Sequence, residues 1–136
     1  MLSQKNLIII LVVMIVVSLV VILNASQKNT SDFSHFSFDA VFIKNENYIL
    51  ITFEDKSNKS SFAILEILGM EDTFHKEFMI NGSFSEKVPI NALPKHGWKT
   101  IPVTLEITYD KSTIIKMKTE IHDQNTISPE IIFSYG

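Results

Sequence analysis

The stretch from Ile101 to Tyr109 reads IPVTLEITY and alternates apolar and polar residues without a break. Its apolar members are Ile101, Val103, Leu105, Ile107 and Tyr109. Successive side chains of a β-strand point to opposite faces of the sheet, so a period of two is typical of a strand with one buried face. This stretch therefore predicts a strand whose apolar face packs on a core.

The residues after this strand predict a hairpin partner for it. A polar turn comes first, and residues 114–121 are again dense in β-forming side chains. Matching the inward faces across the pair places Ile107 opposite Met117 and Glu106 opposite Lys118. The two lysines of this second strand are then expected on a solvated face.

Five earlier runs show the same period and are separated by turn-forming residues. They cover residues 36–42, 48–54, 61–68, 74–80 and 84–90. Short strands at about ten-residue spacing predict an all-β domain, a seven- to eight-stranded antiparallel β-sandwich. We place this domain at residues 35–122.

The tail at residues 123–136 permits two interpretations. Its apolar residues near the end predict either an extra edge strand or a segment donated to the sheet edge of another protein. Under the second interpretation Ile131, Phe133 and Tyr135 contact a partner. Trp98, the one tryptophan, is a further possible contact because tryptophan is enriched at binding hot spots; otherwise it plugs one end of the core.

The N-terminal part has a different pattern. From Leu7 to Leu23 every residue except Ser18 is Leu, Ile, Val or Met. As a helix, the segment from Leu7 to Ala25 would extend roughly 28 Å, close to the hydrocarbon thickness of a bilayer. This predicts a transmembrane helix at residues 7–25, preceded by a cytoplasmic N-terminus at residues 1–6 and followed by a polar tether at residues 26–34.

The residues on either side of the apolar run indicate its orientation in the membrane and whether it is cleaved. Lys5 precedes the apolar run, so the positive-inside rule favours a cytoplasmic N-terminus and an extracytoplasmic C-terminal domain in the cell membrane. The alternative is a signal peptide, whose cleavage would release a secreted β-sandwich. An apolar region longer than about 15 residues, followed by the poor cleavage sequence Leu23-Asn24-Ala25, favours the uncleaved anchor.

The composition excludes several functional classes. The chain of 136 residues has no cysteine, which excludes disulfides and thiolate chemistry. All twelve basic residues are lysines, and the net charge is −3. Without arginine or a positive balance, nucleic acid is not an expected partner.

Four Asn-x-Ser/Thr sequons follow the apolar run, all on the side predicted to be external. Their asparagines are Asn24, Asn29, Asn58 and Asn81. Such sequons accept N-linked glycans on the surface of exported proteins. The four asparagines are therefore predicted glycosylation sites.

No residue pattern indicates catalysis, and we expect no enzyme activity and no cofactor. The histidines are His35, His75, His96 and His122, and none has the spacing of a metal-binding helix. A metal site would require these residues to converge in space, with methionine as a soft partner. Such convergence would make the protein a metal-handling or assembly factor for a membrane complex, which is our alternative functional interpretation.

The stretch from Val88 to Asp110 resembles the strand–corner–strand passage of fibronectin type III-like and other immunoglobulin-like modules. The resemblance lies in Leu93, Pro94, Gly97 and Trp98, followed by the alternating strand and an acidic turn. The whole architecture also resembles small membrane-anchored modules of the archaeal-type cell envelope, including stator-type accessory proteins of the archaeal swimming filament. The resemblance implies a non-enzymatic, membrane-anchored accessory or structural module that binds an envelope protein or a subunit of a membrane complex.

Overall fold

The structure is a computed structural model that describes residues 3–26 and 32–136; the side chains of Leu7 and of residues 20–26 are outside the description. Its elements are α1 (Gln4–Ser26), β1 (Phe36–Ile43), β2 (Tyr48–Asp55), β3 (Ser60–Ile67), β4 (Phe74–Met79), β5 (Ser83–Pro89), a 3₁₀ turn (Trp98–Thr100), β6 (Pro102–Tyr109), β7 (Thr113–Glu120), β8 (His122–Asp123) and β9 (Ile132–Tyr135). The predicted tether lies mostly at residues 27–31, outside the described residues.

The helix α1 is a separate unit of the chain, followed by the β-domain from Phe33 to Gly136. It extends three residues before the predicted start at Leu7 and one residue beyond Ala25. The Ser18 hydroxyl donates a hydrogen bond to the Ile15 carbonyl at 2.8 Å, so this polar group is satisfied within the helix. Within the described residues, no helix reaches the combination of length and apolarity that crossing a membrane requires.

The β-domain has the sandwich-like, mostly β architecture that the alternating pattern predicts. One sheet has the strand order β5-β2-β1-β8 and the other has the order β4-β3-β6-β7-β9. The inward face of each strand carries the predicted apolar residues, of which the most deeply buried include Ile49, Ile51, Leu65, Val103 and Ile107. Burying each such side chain contributes roughly 1.5–3 kcal/mol, so these two inward faces stabilise the fold.

The prediction of an entirely antiparallel sandwich was wrong at one strand. β8 pairs in parallel with β1, Val41 opposite His122 and Phe42 opposite Asp123. β7 runs in the same direction as β1, and the chain crosses to the other sheet at the buried Ile121 without turning. The next residues therefore arrive parallel to β1. A two-residue strand is too short to show a period in sequence.

The register predicted for the β6–β7 hairpin was wrong by two residues. Ile107 lies opposite Ile115, not Met117, and Glu106 lies opposite Lys116. The Lys116 ammonium is 3.2 Å from the Glu106 carboxylate. A shift of two residues keeps every side chain on the same face, so apolar alternation alone does not distinguish the two registers.

The turn of this hairpin explains the register that is adopted. Asp110 and Lys111 take φ values of 47° and 71°, and the Ser112 amide donates to the Tyr109 carbonyl at 3.3 Å. Positive φ at two successive residues makes the tight turn that matches the twist of a hairpin. The connection has three residues, 110–112, which places Tyr109 opposite Thr113 and fixes the pairs that follow.

The two ends of the sandwich are formed by different connections. We call the end where β1 begins the proximal end; its connections are residues 56–59, 80–82 and 110–112. We call the opposite end the distal end; its connections are residues 44–47, 68–73 and 90–101. The β-domain therefore has compact turns at one end and longer loops at the other.

A buried carboxylate organises the proximal end. Asp55 is 1% exposed and accepts hydrogen bonds from the backbone amides of Ser57, Lys59 and Ser60, each at 2.9 Å, and from the hydroxyls of both serines. Burial alone would raise the pKa of Asp55, but the hydrogen bonds from Ser57 and Ser60 outweigh it and lower this pKa below its ordinary value. The carboxylate thus fixes the loop between β2 and β3.

Candidate functional site

The distal end contains a groove between the β3–β4 and β5–β6 loops. Two adjoining cavities of about 470 and 300 Å³ share Met70, Glu71 and Ala92 as lining residues. The shared walls place the two cavities side by side, and we call the pair of them the distal groove.

The Trp98 side chain packs on the core, two residues before Thr100 and Ile101, which line the distal groove. Its ring lies 4.7 Å from the ring of Phe42, and Trp98 is partly buried against the core. The following residues turn back because the Ile101 amide donates to the Trp98 carbonyl at 3.0 Å. Thr100 and Ile101 then line the groove. Trp98 thus packs against the end of the core, the first of the two positions that the sequence left open for it.

One large apolar side chain of the groove projects into solvent. Leu93 is 64% exposed and lines the groove, whereas Leu68, 40% exposed in the opposing loop, lines a different depression. Glu71 lies on the β3–β4 wall, and Lys95 and His96 lie on the β5–β6 wall. Apolar surface bordered by charged groups is typical of protein interaction sites, because contact with a partner removes it from water.

A second depression, of about 380 Å³, lies on the outer face of the five-stranded sheet. Its lining includes Leu68, Ile64, Thr104, Lys118 and Ile132. The small Thr104 side chain lies between Glu66 and Lys118 in the pairing register, which leaves the face hollow there. Leu68 lines this depression and is followed by Gly69, which lines the distal groove, so the two sites meet different residues of the same loop.

The C-terminal residues form the predicted extra edge strand, β9, beside β7. The Phe133 ring stacks on Phe33 with 4.4 Å between centroids, and Tyr135 lies 5.7 Å from the same ring. Ile131 and Phe133 are partly buried against the core, whereas Tyr135, the third residue predicted to contact a partner, is 57% exposed. Ile132, which the sequence did not single out, is 63% exposed.

Two of the histidines lie within hydrogen-bonding distance of acidic side chains. The His75 ring nitrogens lie 2.8 Å from Glu66 and 3.2 Å from Glu77, and the hydrogen bonds to Glu66 and then to Glu77 raise the pKa of His75. His122 Nε2 lies 2.8 Å from the Asp39 carboxylate and ties β8 to β1. Both arrangements join neighbouring strands.

The four histidines lie on different parts of the β-domain. His35 packs against the Phe36 ring at the proximal end, with 4.0 Å between centroids, whereas His96 lines the distal groove. Over residues 3–26 and 32–136, no three or more His, Asp or Glu side chains form a group that could hold a metal ion. The described part of the chain thus offers no geometry that favours the metal-handling interpretation.

Two of the four predicted glycosylation sites lie among the residues whose side chains the structure describes. Asn58 and Asn81 lie exposed in proximal loops. Asn29 and the Asn24 side chain lie outside the described residues. The sequons of Asn58 and Asn81 therefore both lie at the proximal end of the β-domain.

Comparison with known proteins identifies no relative. No protein-family model matches the chain, and neither a curated protein nor a solved structure is significantly similar to it.

Proposed function

We propose that this protein is a non-enzymatic, membrane-anchored module that binds another envelope protein, or a subunit of a membrane complex, through the distal groove. The observation that carries the proposal is the exposure of Leu93 in a groove with charged walls. Burying this side chain and the apolar walls beside it against a partner would remove apolar area from water, which drives protein association. The surrounding charges would then set the orientation of the partner.

The side chains of the groove favour binding over catalysis. A general base needs a neighbouring group that orients it and a nucleophile within hydrogen-bonding distance. His96, a titratable residue of the groove, makes no side-chain hydrogen bond to any described residue. The groove therefore offers apolar contact area and charge, the elements of recognition.

The membrane attachment in this proposal rests on α1. Its described apolar residues from Ile8 to Leu19 are between 51% and 69% exposed. The apolar run in the sequence continues to Leu23, four residues beyond the last described apolar side chain. A lipid bilayer is the environment that such a surface prefers, and Lys5 favours a cytoplasmic N-terminus with the β-domain outside.

We further infer that the β-domain is an immunoglobulin-like module. Two facing sheets of four and five strands, joined by chain crossings between the sheets, support this assignment. Modules of this architecture commonly present loops at one end of the sandwich to a partner. The distal loops would occupy that position here.

The anchor is tested by washing native membranes with alkaline carbonate and measuring the intact mass of the extracted chain. Retention in the membrane with the N-terminal residues still present is the expected result, because an apolar helix in lipid resists this treatment. A chain that is released, or that lacks its first ~25 residues, would support the secreted form and contradict the anchor.

The binding surface is tested by detergent extraction followed by quantification of co-purifying proteins. Leu93→Asp introduces a charge beside the distal groove, and Met79→Asp does the same at a residue that is 75% exposed and lies on β4 towards the proximal end. We expect one protein to be recovered in a fixed ratio with the wild type and with Met79→Asp, and at least tenfold less with Leu93→Asp. Equal recovery with all three chains would contradict the proposed surface.

A further inference from the structure

The two described sequons lie in adjacent proximal loops that are hydrogen-bonded to each other. Asn58 is in the β2–β3 loop, and Asn81 precedes Gly82 in the β4–β5 loop. The Gly82 amide donates to the Ser60 carbonyl at 3.1 Å, and the Asp55 amide donates to the Gly82 carbonyl at 2.7 Å. These bonds hold the two asparagines in fixed and comparable positions.

The side chains of the sequon at Asn58 make contacts within the folded domain. The Asn58 side-chain oxygen packs on Gly82, and a Cβ at residue 82 would lie only 3.1 Å from the Asn58 Cα. The hydroxyl of this sequon belongs to Ser60, which is 2% exposed and donates to the Asp55 carboxylate at 2.8 Å. A transferring enzyme reads the hydroxyl two residues after the asparagine, and at this sequon that hydroxyl is buried.

The sequon at Asn81 has the opposite properties. Asn81 and Ser83 are both exposed, in a turn between two strands and at the start of β5. Neither the Asn81 amide nor the Ser83 hydroxyl makes a side-chain hydrogen bond to a described residue. Both groups that the enzyme must reach therefore face solvent, with Gly82 at φ 74° shaping the turn between them.

We propose that Asn81 carries an N-linked glycan and that Asn58 does not. The donor is a lipid-linked oligosaccharide, used by a host oligosaccharyltransferase. The Asn81 amide nitrogen bonds to the anomeric carbon, the bond from that carbon to the carrier phosphate breaks, and the amide loses one proton while the lipid phosphate leaves. This inference rests on the proposed extracytoplasmic location of the β-domain, because such donors are used on that side of the membrane.

The glycan would cover the proximal end and leave the distal groove free. Asn81 lies at the proximal end of β4, whose six residues extend roughly 20 Å towards the distal end. A bulky, hydrated sugar there shields the loop around Asn58 and the exposed Met79. Modification and partner binding then occupy opposite ends of the sandwich.

The test is expression of the full chain in yeast, with mass spectrometry of the peptide from Glu77 to Lys87 and of the intact protein. We expect a glycan on this peptide, loss of one glycan mass in Asn81→Gln and in Ser83→Ala, retention in Ser83→Thr, and no change in Asn58→Gln. Ser83 is exposed, so its substitutions test recognition without affecting folding. An unmodified peptide, or a glycan at Asn58, overturns the inference.

Protease protection of sealed membranes separates this inference from the proposed function. A β-domain that is protected inside the vesicles but unmodified at Asn81 overturns the glycan and leaves the anchored module standing. A β-domain that protease removes from the cytosolic side overturns the proposed orientation and the glycan together.

Discussion

The proximal and distal ends of the same sandwich are stabilised in different ways. At the proximal end, Asp55 is buried and accepts five hydrogen bonds, and the turns are short. At the distal end, longer loops leave Leu93 exposed to solvent in the groove that it lines. A buried polar network fixes one conformation, whereas exposed apolar groups gain free energy only when a partner covers them. The difference indicates that stability is concentrated at one end and recognition at the other.

The largest effect on stability is expected from Asp55→Ala. This change leaves the amides of Ser57, Lys59 and Ser60 without their acceptor, and unpaired buried donors cost about 3 kcal/mol or more together. Urea unfolding of the full chain in detergent, followed by the fluorescence of Trp98, measures the loss. Glu54→Ala is the matched control because this neighbouring carboxylate is exposed on the same strand; a change within about 0.5 kcal/mol is expected. Equal effects of the two variants would contradict the special role of Asp55.

The same carboxylate predicts a dependence of stability on pH. The folded pKa of Asp55 is lowered, so its contribution is present above the unfolded value of about 3.9 and is lost as the pH falls through the folded pKa. Asp55→Asn has no such titration. The difference in unfolding free energy between wild type and Asp55→Asn should therefore shrink below about pH 4. A difference that stays constant from pH 6 to pH 2 would show that Asp55 does not titrate in this way.

A smaller loss of stability is expected when the aromatic contact between the C-terminal strand and Phe33 is removed. Phe133→Ala removes the ring stacked on Phe33, and a partly buried aromatic contributes about 2 kcal/mol. Ile132→Ala, on the same strand but exposed to solvent, should change stability by less than about 0.5 kcal/mol. The urea unfolding midpoints of the two variants, measured side by side, test this difference. Equal losses of stability would mean that the aromatic stack adds nothing beyond strand pairing.

The sequence predicted those features that depend on local alternation. The strand from Ile101 to Tyr109 and the six others of period two appear at nearly the predicted bounds, because each inward apolar residue is buried by the same core. The hairpin register was not predictable from alternation, since a shift of two residues preserves the faces; the three-residue connection 110–112 distinguishes the two registers. β8 was missed because two residues carry no period.

The distal groove could not be predicted from the sequence, and the physical reason is a different one. Its lining comes from loops separated by about twenty residues, and exposed leucines in loops have no pattern that distinguishes them from buried ones. Trp98 was identified as a residue of interest, but its ring packs on Phe42 while Leu93 meets the solvent. Which apolar loop residue faces outward is decided by packing between loops, and that depends on the whole fold.

The smallest effect on stability is expected from Leu93→Ser, and it is the most informative for the comparison. A side chain already 64% exposed loses little transfer free energy on truncation, so the free energy of unfolding should change by less than about 0.5 kcal/mol. Asp55→Ala in the same assay supplies the contrast between the two ends. A loss above 1 kcal/mol for Leu93→Ser would mean that this leucine supports the distal loops, and the groove would then lack the one exposed side chain on which partner binding most depends.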